Sequence, residues 1–386
     1  MAINMCTAVA PVNIAVIKYW GKRDESLILP VNDSVSVTLS KNEMCAKTTV
    51  AYSKHFEEDR LWLNGKVQDI TAPRIKACIS EIKKRASDQS VIQHHLHICS
   101  VNNFPTAAGL ASSAAGFACL VKALSSLYKV EGDLSEIARQ GSGSACRSVY
   151  GGFVHWLSGE KGDGSDSIAQ QIAPKEHWPE FRAIILVVNA GSKDVSSTKG
   201  MQLSVETSSL LQYRLSNVVP TRVTDIKKAI LSKNFQEFAE ITMKESNQFH
   251  AICLDTYPPI HYLNSTSYKI IRLIHAYNEF YGENKVAYTF DAGPNACLYL
   301  LEKDVPEMLA LVKCIFPPQD ESAKFIRGYK SPLSTISETL LNSIQLTPSP
   351  GEIQYIINTQ VGSGPKIIQD TDHHLLDDKG LPRKNM

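Results

Sequence analysis

Two glycine- and serine-rich stretches offer the clearest chemistry in this sequence. The first, Pro105–Gly116, reads PTAAGLASSAAG and lies between the alternating segment His95–Val101 and the helically spaced apolar segment Ser112–Tyr128. Gly109 and Gly116 let main-chain N–H groups come close to a bound anion. Ser112 and Ser113 fall where a helix begins, so free N–H groups and the helix dipole favour phosphate there, and the hydroxyls add donors. No Gly-Lys-Ser/Thr ends the stretch and no GxGxxG lies in it, which excludes a Walker loop and a dinucleotide fingerprint. An ordinary N-capped helix with small residues for tight packing is the competing reading, and spacing alone divides evenly between them.

The second stretch, Gly141–Ser148, reads GSGSACRS and repeats that physics. A glycine turn leads into a helix start, and Ser144 and Arg147, three apart, share one helix face. Arginine suits bidentate capture of carboxylate or phosphate. Taken alone, capping with a surface ion pair explains the stretch better. Lys18-Tyr19-Trp20-Gly21-Lys22 could rim a cleft with two cations, against the commoner reading of solvated strand-end lysines. Arg74 opposes the dipole of the helix it begins, a mismatch that a bound anion would relieve. Ser196-Ser197-Thr198 is explained by N-capping alone.

Asp291 is the most pointed carboxylate. It follows the apolar Val286–Phe290 and precedes Ala-Gly-Pro-Asn, so it must be exposed in a cleft, be paired, or stabilise the turn. His95 and His97 would share one strand face, but no third ligand is near in sequence, so surface histidines rather than a metal site are expected. No protein metal site is expected.

These residues need a frame that brings distant segments together. Thr7–Tyr19 reads as one buried strand. Val31–Leu39 reads as a half-buried one, with Val35, Val37 and Leu39 alternating against Ser34, Ser36 and Thr38. Arg60–Leu63 before Asn64-Gly65 predicts a hairpin arm, and Pro73 opens a helix over Thr71–Ala86. Asp133 with Glu136 predicts a capping box for a short helix ending at Gly141. Further helices are expected at Met201–Ser216, Val223–Ser232, Asn234–Phe249 and Ser265–Tyr281. Lys285–Phe290 and Ala296–Leu301 frame a strand–turn–strand. This mixed order predicts an α+β architecture rather than a doubly wound parallel sheet. At 386 residues the chain should divide into two lobes, 1–180 and 181–386, at the proline-flanked Lys175–Glu180.

Hydrophobic residues make up 43% and charged residues 20%, a globular composition. A net charge of +1 supplies no global field for nucleic acid or an acidic membrane, so an anion must be held by local groups. The nine cysteines are scattered without a CxxC pair, which favours reduced thiols in a cytoplasmic protein. Neither a signal-peptide pattern nor an apolar run of membrane-spanning length is present.

Together the segments resemble the mevalonate diphosphate decarboxylase family, within the superfamily of galactokinase, homoserine kinase and mevalonate kinase. APVNIAVIKYWGK at Ala10–Lys22, NNFPTAAGLASSAAG at Asn102–Gly116, GSGSACRS and DAGPN at Asp291–Asn295 carry the likeness. The resemblance implies a two-lobed α+β fold, a first lobe like domain two of ribosomal protein S5 and a ferredoxin-like second lobe. It implies ATP with Mg2+, a 5-diphosphomevalonate substrate, a homodimer, and release of isopentenyl diphosphate, ADP, phosphate and carbon dioxide. Asp291 is implied as catalytic base, Arg147 as holder of the substrate carboxylate with Asn13 steadying it, Ser113 as orienter of the phosphoryl group, and Lys18 as the charge-offsetting cation. The diphosphate is implied at Tyr19, Trp20, Gly21, Lys22, Arg74, Ser142, Gly143, Ser144, Ala145, Cys146, Arg147 and Thr198. ATP is implied at Asn102, Pro105, Ala107, Ala108, Gly109, Leu110, Ala111, Ser112 and Ser113. The alternative is a kinase of the same superfamily that phosphorylates without decarboxylation.

Overall fold

The computed structural model describes residues 3–104, 112–188, 194–320 and 324–384. Pro105, Ala107, Ala108, Gly109, Leu110 and Ala111 of the expected ATP loop therefore lie outside the described residues. The architecture is α+β and two-lobed. A six-stranded sheet runs in the order Lys366–Ile368, Asn4–Pro11, Cys45–Ser53, His95–Asn102, Arg60–Leu63, Lys66–Gln68. It is antiparallel except where Arg60–Leu63 runs parallel to His95–Asn102. A four-stranded antiparallel sheet follows the order Ala169–Ala173, Phe153–Trp156, Ser34–Thr38, Asn13–Ile17. The helix Ser112–Leu127 packs on Asn4–Pro11 and Cys45–Ser53 through an almost continuous run of buried Ala, Cys, Leu and Val.

A third sheet, in the order Val286–Phe290, Ala296–Leu301, Phe181–Val188, Ile353–Gln360, Ile326–Gly328, forms the second lobe with the helices that cover it. Helix Phe235–Asp255 lies against Val286–Phe290 and also touches Asn13–Ile17, so one helix bridges the lobes. The chain then returns: Lys366–Ile368 pairs with Asn4–Pro11, and Leu375 and Leu376 pack with Trp62 and Cys99 of the first sheet.

Several expectations need correction. Thr7–Tyr19 is two strands in two sheets, Asn4–Pro11 and Asn13–Ile17. The break falls after Pro11, which has no N–H to give a ladder; Val12 instead accepts from the N–H of Leu39 at 3.0 Å. Ser34–Thr38 is buried on both faces, not half-buried, because its hydroxyl face turns toward the interior. Met201–Ser216 is two helices, Ser197–Thr207 and Ser209–Asn217, since Ser208 leaves helical geometry and caps the second. The capping box at Asp133 is absent. Asp133 accepts the N–H of Ser135 at 2.8 Å, and Glu136 instead receives Arg85 at 2.9 Å. The Asn64-Gly65 hairpin is observed, with positive φ at both residues.

Candidate active site

The three sheets deliver their chemistry to one cavity of about 350 Å³ at the junction of the lobes. Asn13, Lys18, Tyr19, Trp20, Lys22, Arg74, Ser112, Ser113, Ser142, Gly143, Ser144, Arg147, Thr198 and Asp291 all line it. Segments separated by more than two hundred residues thus converge, and Asp291 and Arg147 share one wall-to-wall space.

Lys18 and Asp291 form an ion pair at 2.6 Å, with the Lys18 side chain 3% exposed and that of Asp291 32%. The carboxylate is the accessible member. Arg147 is buried, donating Nε to Asn13 Oδ1 at 3.1 Å and Nη1 to Ser34 at 2.6 Å. Asn13 is fixed in turn, its amide donating to the Ser144 carbonyl at 2.9 Å and to Ser148 at 2.7 Å. The guanidinium also lies 5.7 Å from the Trp156 ring centre. Burial disfavours the charge of Arg147, and among the described residues no carboxylate is hydrogen-bonded to it, the Asp291 charge offsetting the burial only from a distance. A carboxylate or phosphate is the kind of group that would complement such a buried guanidinium.

The glycine–serine turn is a row of hydroxyls. Ser113 and Ser142 are 3.2 Å apart, and Ser142 and Ser144 3.4 Å. A Cβ on Gly143 would stand 2.7 Å from Tyr19, so only glycine leaves this cradle open. The Tyr19 hydroxyl is enclosed and without a partner among the described residues, and burial raises its pKa. Such an orphaned donor fits an anion's oxygen. Lys22 is paired with Glu25 at 2.5 Å, and Arg74 donates to Thr198 at 3.3 Å, closing the outer rim. Trp20 contributes its face only, since its Nε1 donates to Ser204 at 2.9 Å.

Three residues implied as substrate contacts shape the cavity without lining it. Gly21, at φ +104°, makes a turn in which a Cβ would meet Val31 and Val205 at 2.8 Å. Ala145 opens the short helix that carries Arg147. Cys146 packs with Val154 and Trp156, and burial pushes its thiol up to about 12, which leaves it inert.

Asn102 lies in a second cavity of about 370 Å³, which shares Ser112 and Ser113 with the first. Its walls are largely apolar, from Leu61, Leu63, Ile75, Ile98, Phe117 and Leu120. Sequence reading missed these because apolar residues at strand and helix spacing look like core. It also missed Ser34, whose polar stripe was read as solvent-facing, and His250. That imidazole is buried beside the Lys18–Asp291 pair and pushed down to about 3, first by burial and then by the Lys18 charge. His97, expected at the surface, is buried, stacked on Phe56 at 3.7 Å and bonded to the Gly380 carbonyl at 2.7 Å. Among the described residues no cluster of His, Cys, Asp or Glu could hold a metal, and no helix is long and apolar enough to cross a membrane.

A two-lobed α+β frame with hydroxyls, buried cations and one accessible carboxylate around a shared cavity defines an enzyme for small, polyanionic substrates. Residues 10–169 match the diphosphomevalonate decarboxylase-like N-terminal domain, and residues 183–368 the mevalonate 5-diphosphate decarboxylase C-terminal domain. The diphosphomevalonate decarboxylase of Danio rerio is 55% identical, with 99% of this chain and 98% of that protein covered. The solved mevalonate diphosphate decarboxylase of Trypanosoma brucei superposes with a TM-score of 0.88 at 40% identity, covering 97% of this chain and 100% of that one. A structure of a relative abbreviated MDDEF, in complex with MVAPP, AMPPCP and magnesium, gives 0.74 at 32% identity, covering 96% and 100%. The chain belongs to the diphosphomevalonate decarboxylase family. The kinase alternative is accordingly disfavoured.

Proposed function

We propose that this enzyme converts 5-diphosphomevalonate and ATP to isopentenyl diphosphate, ADP, phosphate and carbon dioxide. The observation that carries the proposal is the placing of the Lys18–Asp291 pair and buried Arg147 on one cavity. The names of the full-length relatives and the MVAPP–AMPPCP–magnesium complex of a neighbour support it.

In this reading Arg147, steadied by Asn13 and Ser34, holds the substrate carboxylate. Tyr19, Lys22, Arg74, the Ser142–Ser144 turn and Thr198 receive the diphosphate. The apolar cavity takes the nucleotide base, so that the phosphates run past Asn102 and over Ser112 and Ser113 into the polar cavity. Bound with the nucleotide, magnesium would screen the phosphate charge, and Ser112 and Ser113 are the side chains on the cavity wall whose hydroxyls would face it.

Asp291 faces the 3-hydroxyl. A carboxylate is too weak a base to ionise an alcohol beforehand, so it orients the hydroxyl and takes its proton as the phosphoryl group arrives. Lys18 keeps that carboxylate in place and offsets the charge that gathers around it. Phosphate then leaves C3, the C–C bond to the carboxylate breaks, and its electron pair becomes the new double bond. With Arg147 fixing the carboxylate plane, that bond is aligned for cleavage.

The division of labour falls between residues 1–180 and 181–386, the second part supplying Asp291 and returning its last strand to the first sheet. A cytoplasmic homodimer belongs to the same reading. The deciding assay supplies ATP, magnesium and 5-diphosphomevalonate and follows ADP, phosphate and carbon dioxide together. Equal yields support the proposal. ADP without carbon dioxide would return the chain to the kinases.

A further inference from the structure

Lys18 is held by its backbone as closely as by its side chain. Its N–H donates to Glu245 Oε1 at 3.0 Å. Its carbonyl accepts from Arg214 Nη2 at 3.0 Å and from Asn32 Nδ2 at 3.0 Å. Arg214 also donates to Glu245 and, at 3.2 Å, to Asn32 Oδ1, so these side chains close a ring around one residue's main chain. Arg222 reaches the other Glu245 oxygen at 2.5 Å and Gln248 at 2.7 Å. Arg214 and Glu245 are 1% and 0% exposed.

The ring joins the lobes, since Lys18 follows the strand Asn13–Ile17 while Glu245 and Arg214 come from helices of the second lobe. The next residue on the Glu245 helix, Ser246, accepts the N–H of Phe290 at 3.1 Å. Phe290 immediately precedes Asp291. One helical turn therefore grips the main chain of Lys18 and the main chain beside Asp291, whose side chains meet at 2.6 Å. A buried ion cluster is a poor source of stability, because desolvation consumes the Coulomb gain and apolar residues of like volume often serve as well. A charged fork supplies what apolar packing does not: a fixed angle and register. Burial alone would raise the Glu245 carboxyl, but Arg214 and Arg222 hold it low and charged.

We propose that Glu245 and Arg214 are positioning residues for phosphoryl transfer, setting the Lys18–Asp291 geometry across the junction of the lobes. The proposal rests on the decarboxylase reading above; neither side chain lines the substrate cavity. Two variants test it. Glu245→Gln keeps an acceptor for the Lys18 N–H but loses the charge that orders the arginines. Arg214→Lys keeps the charge but loses the fork that spans Glu245, Asn32 and the Lys18 carbonyl. The unaltered enzyme must first release carbon dioxide and phosphate from 5-diphosphomevalonate; failure there condemns the activity, not the positioning. In any variant whose thermal melt is cooperative, kcat should fall about 100-fold, the cost of an ångström-scale misplacement. KM for both substrates should stay within about 3-fold. Unchanged kcat in a folded variant, or a rise in KM with kcat intact, would overturn the proposal. So would loss of folding in both variants, which would assign the ring to stability alone.

Discussion

The two cavities that meet at Ser112 and Ser113 are built on opposite principles. The polar one holds Lys18, Lys22, Arg74, Arg147 and Asp291, and each of these is tied to a partner. Charges are costly to bury, so the protein fixes them before any ligand arrives. The apolar one is walled by Leu61, Leu63, Ile75, Ile98, Phe117 and Leu120, and offers area and shape with few directed bonds. The contrast teaches that a single change should act steeply and on turnover in the first, gently and on affinity in the second.

The sharpest way to break that contrast is at Asp291. Asp291→Ala removes the only carboxylate on the polar cavity wall among the described residues and should lower turnover about 10²–10⁴-fold. Binding of ATP and of 5-diphosphomevalonate, measured by calorimetry, should persist. Near-normal carbon dioxide release by this variant would take Asp291 out of the chemistry. Arg147→Gln comes next. The glutamine cannot supply a charged fork to a carboxylate, and Asn13 Oδ1 and Ser34 lose the guanidinium that bonds them. Carbon dioxide release should fall about 100-fold, and wild-type rates would end the carboxylate-holding role.

The same contrast explains what could be read from the chain beforehand. Taken singly, KYWGK and GSGSACRS read more readily as solvated or capping residues, so the polar cavity became legible only through the joint resemblance of these segments and Asp291 to one family. Their convergence was not legible from spacing, because it depends on three sheets and the helix Phe235–Asp255 that bridges them. The apolar cavity was invisible for a physical reason: a leucine that lines a pocket and a leucine that fills a core follow the same periodicity. Tertiary setting also decided Ser34, whose polar face turned inward, and the break at Pro11 that sends one apparent strand into two sheets. The long runs were robust, with Ser112–Leu127, Ser265–Tyr281 and Ala296–Leu301 found where periodicity put them.

Besides sharing Ser112 and Ser113, the two cavities are linked through a contact between their walls, which gives the remaining tests. A Cβ on Gly141, the residue that opens the hydroxyl turn, would stand 2.1 Å from Phe117 Cδ1, and Phe117 walls the apolar cavity. Gly141→Ala must therefore displace the ring, with an overpacking cost of about 1–3 kcal/mol. KM should rise for ATP and for 5-diphosphomevalonate together, by about 10-fold if near 1.4 kcal/mol of that cost falls on each bound state. Leu63→Ala supplies the control. Leu63 touches only the apolar cavity, and trimming it removes roughly 1 kcal/mol of apolar contact with a bound base. KM for ATP should rise about 5-fold, while kcat and the KM for 5-diphosphomevalonate hold. An equal rise for both substrates in Leu63→Ala would show that the apolar cavity is not a separate nucleotide pocket, and the division drawn between the two sites would fail.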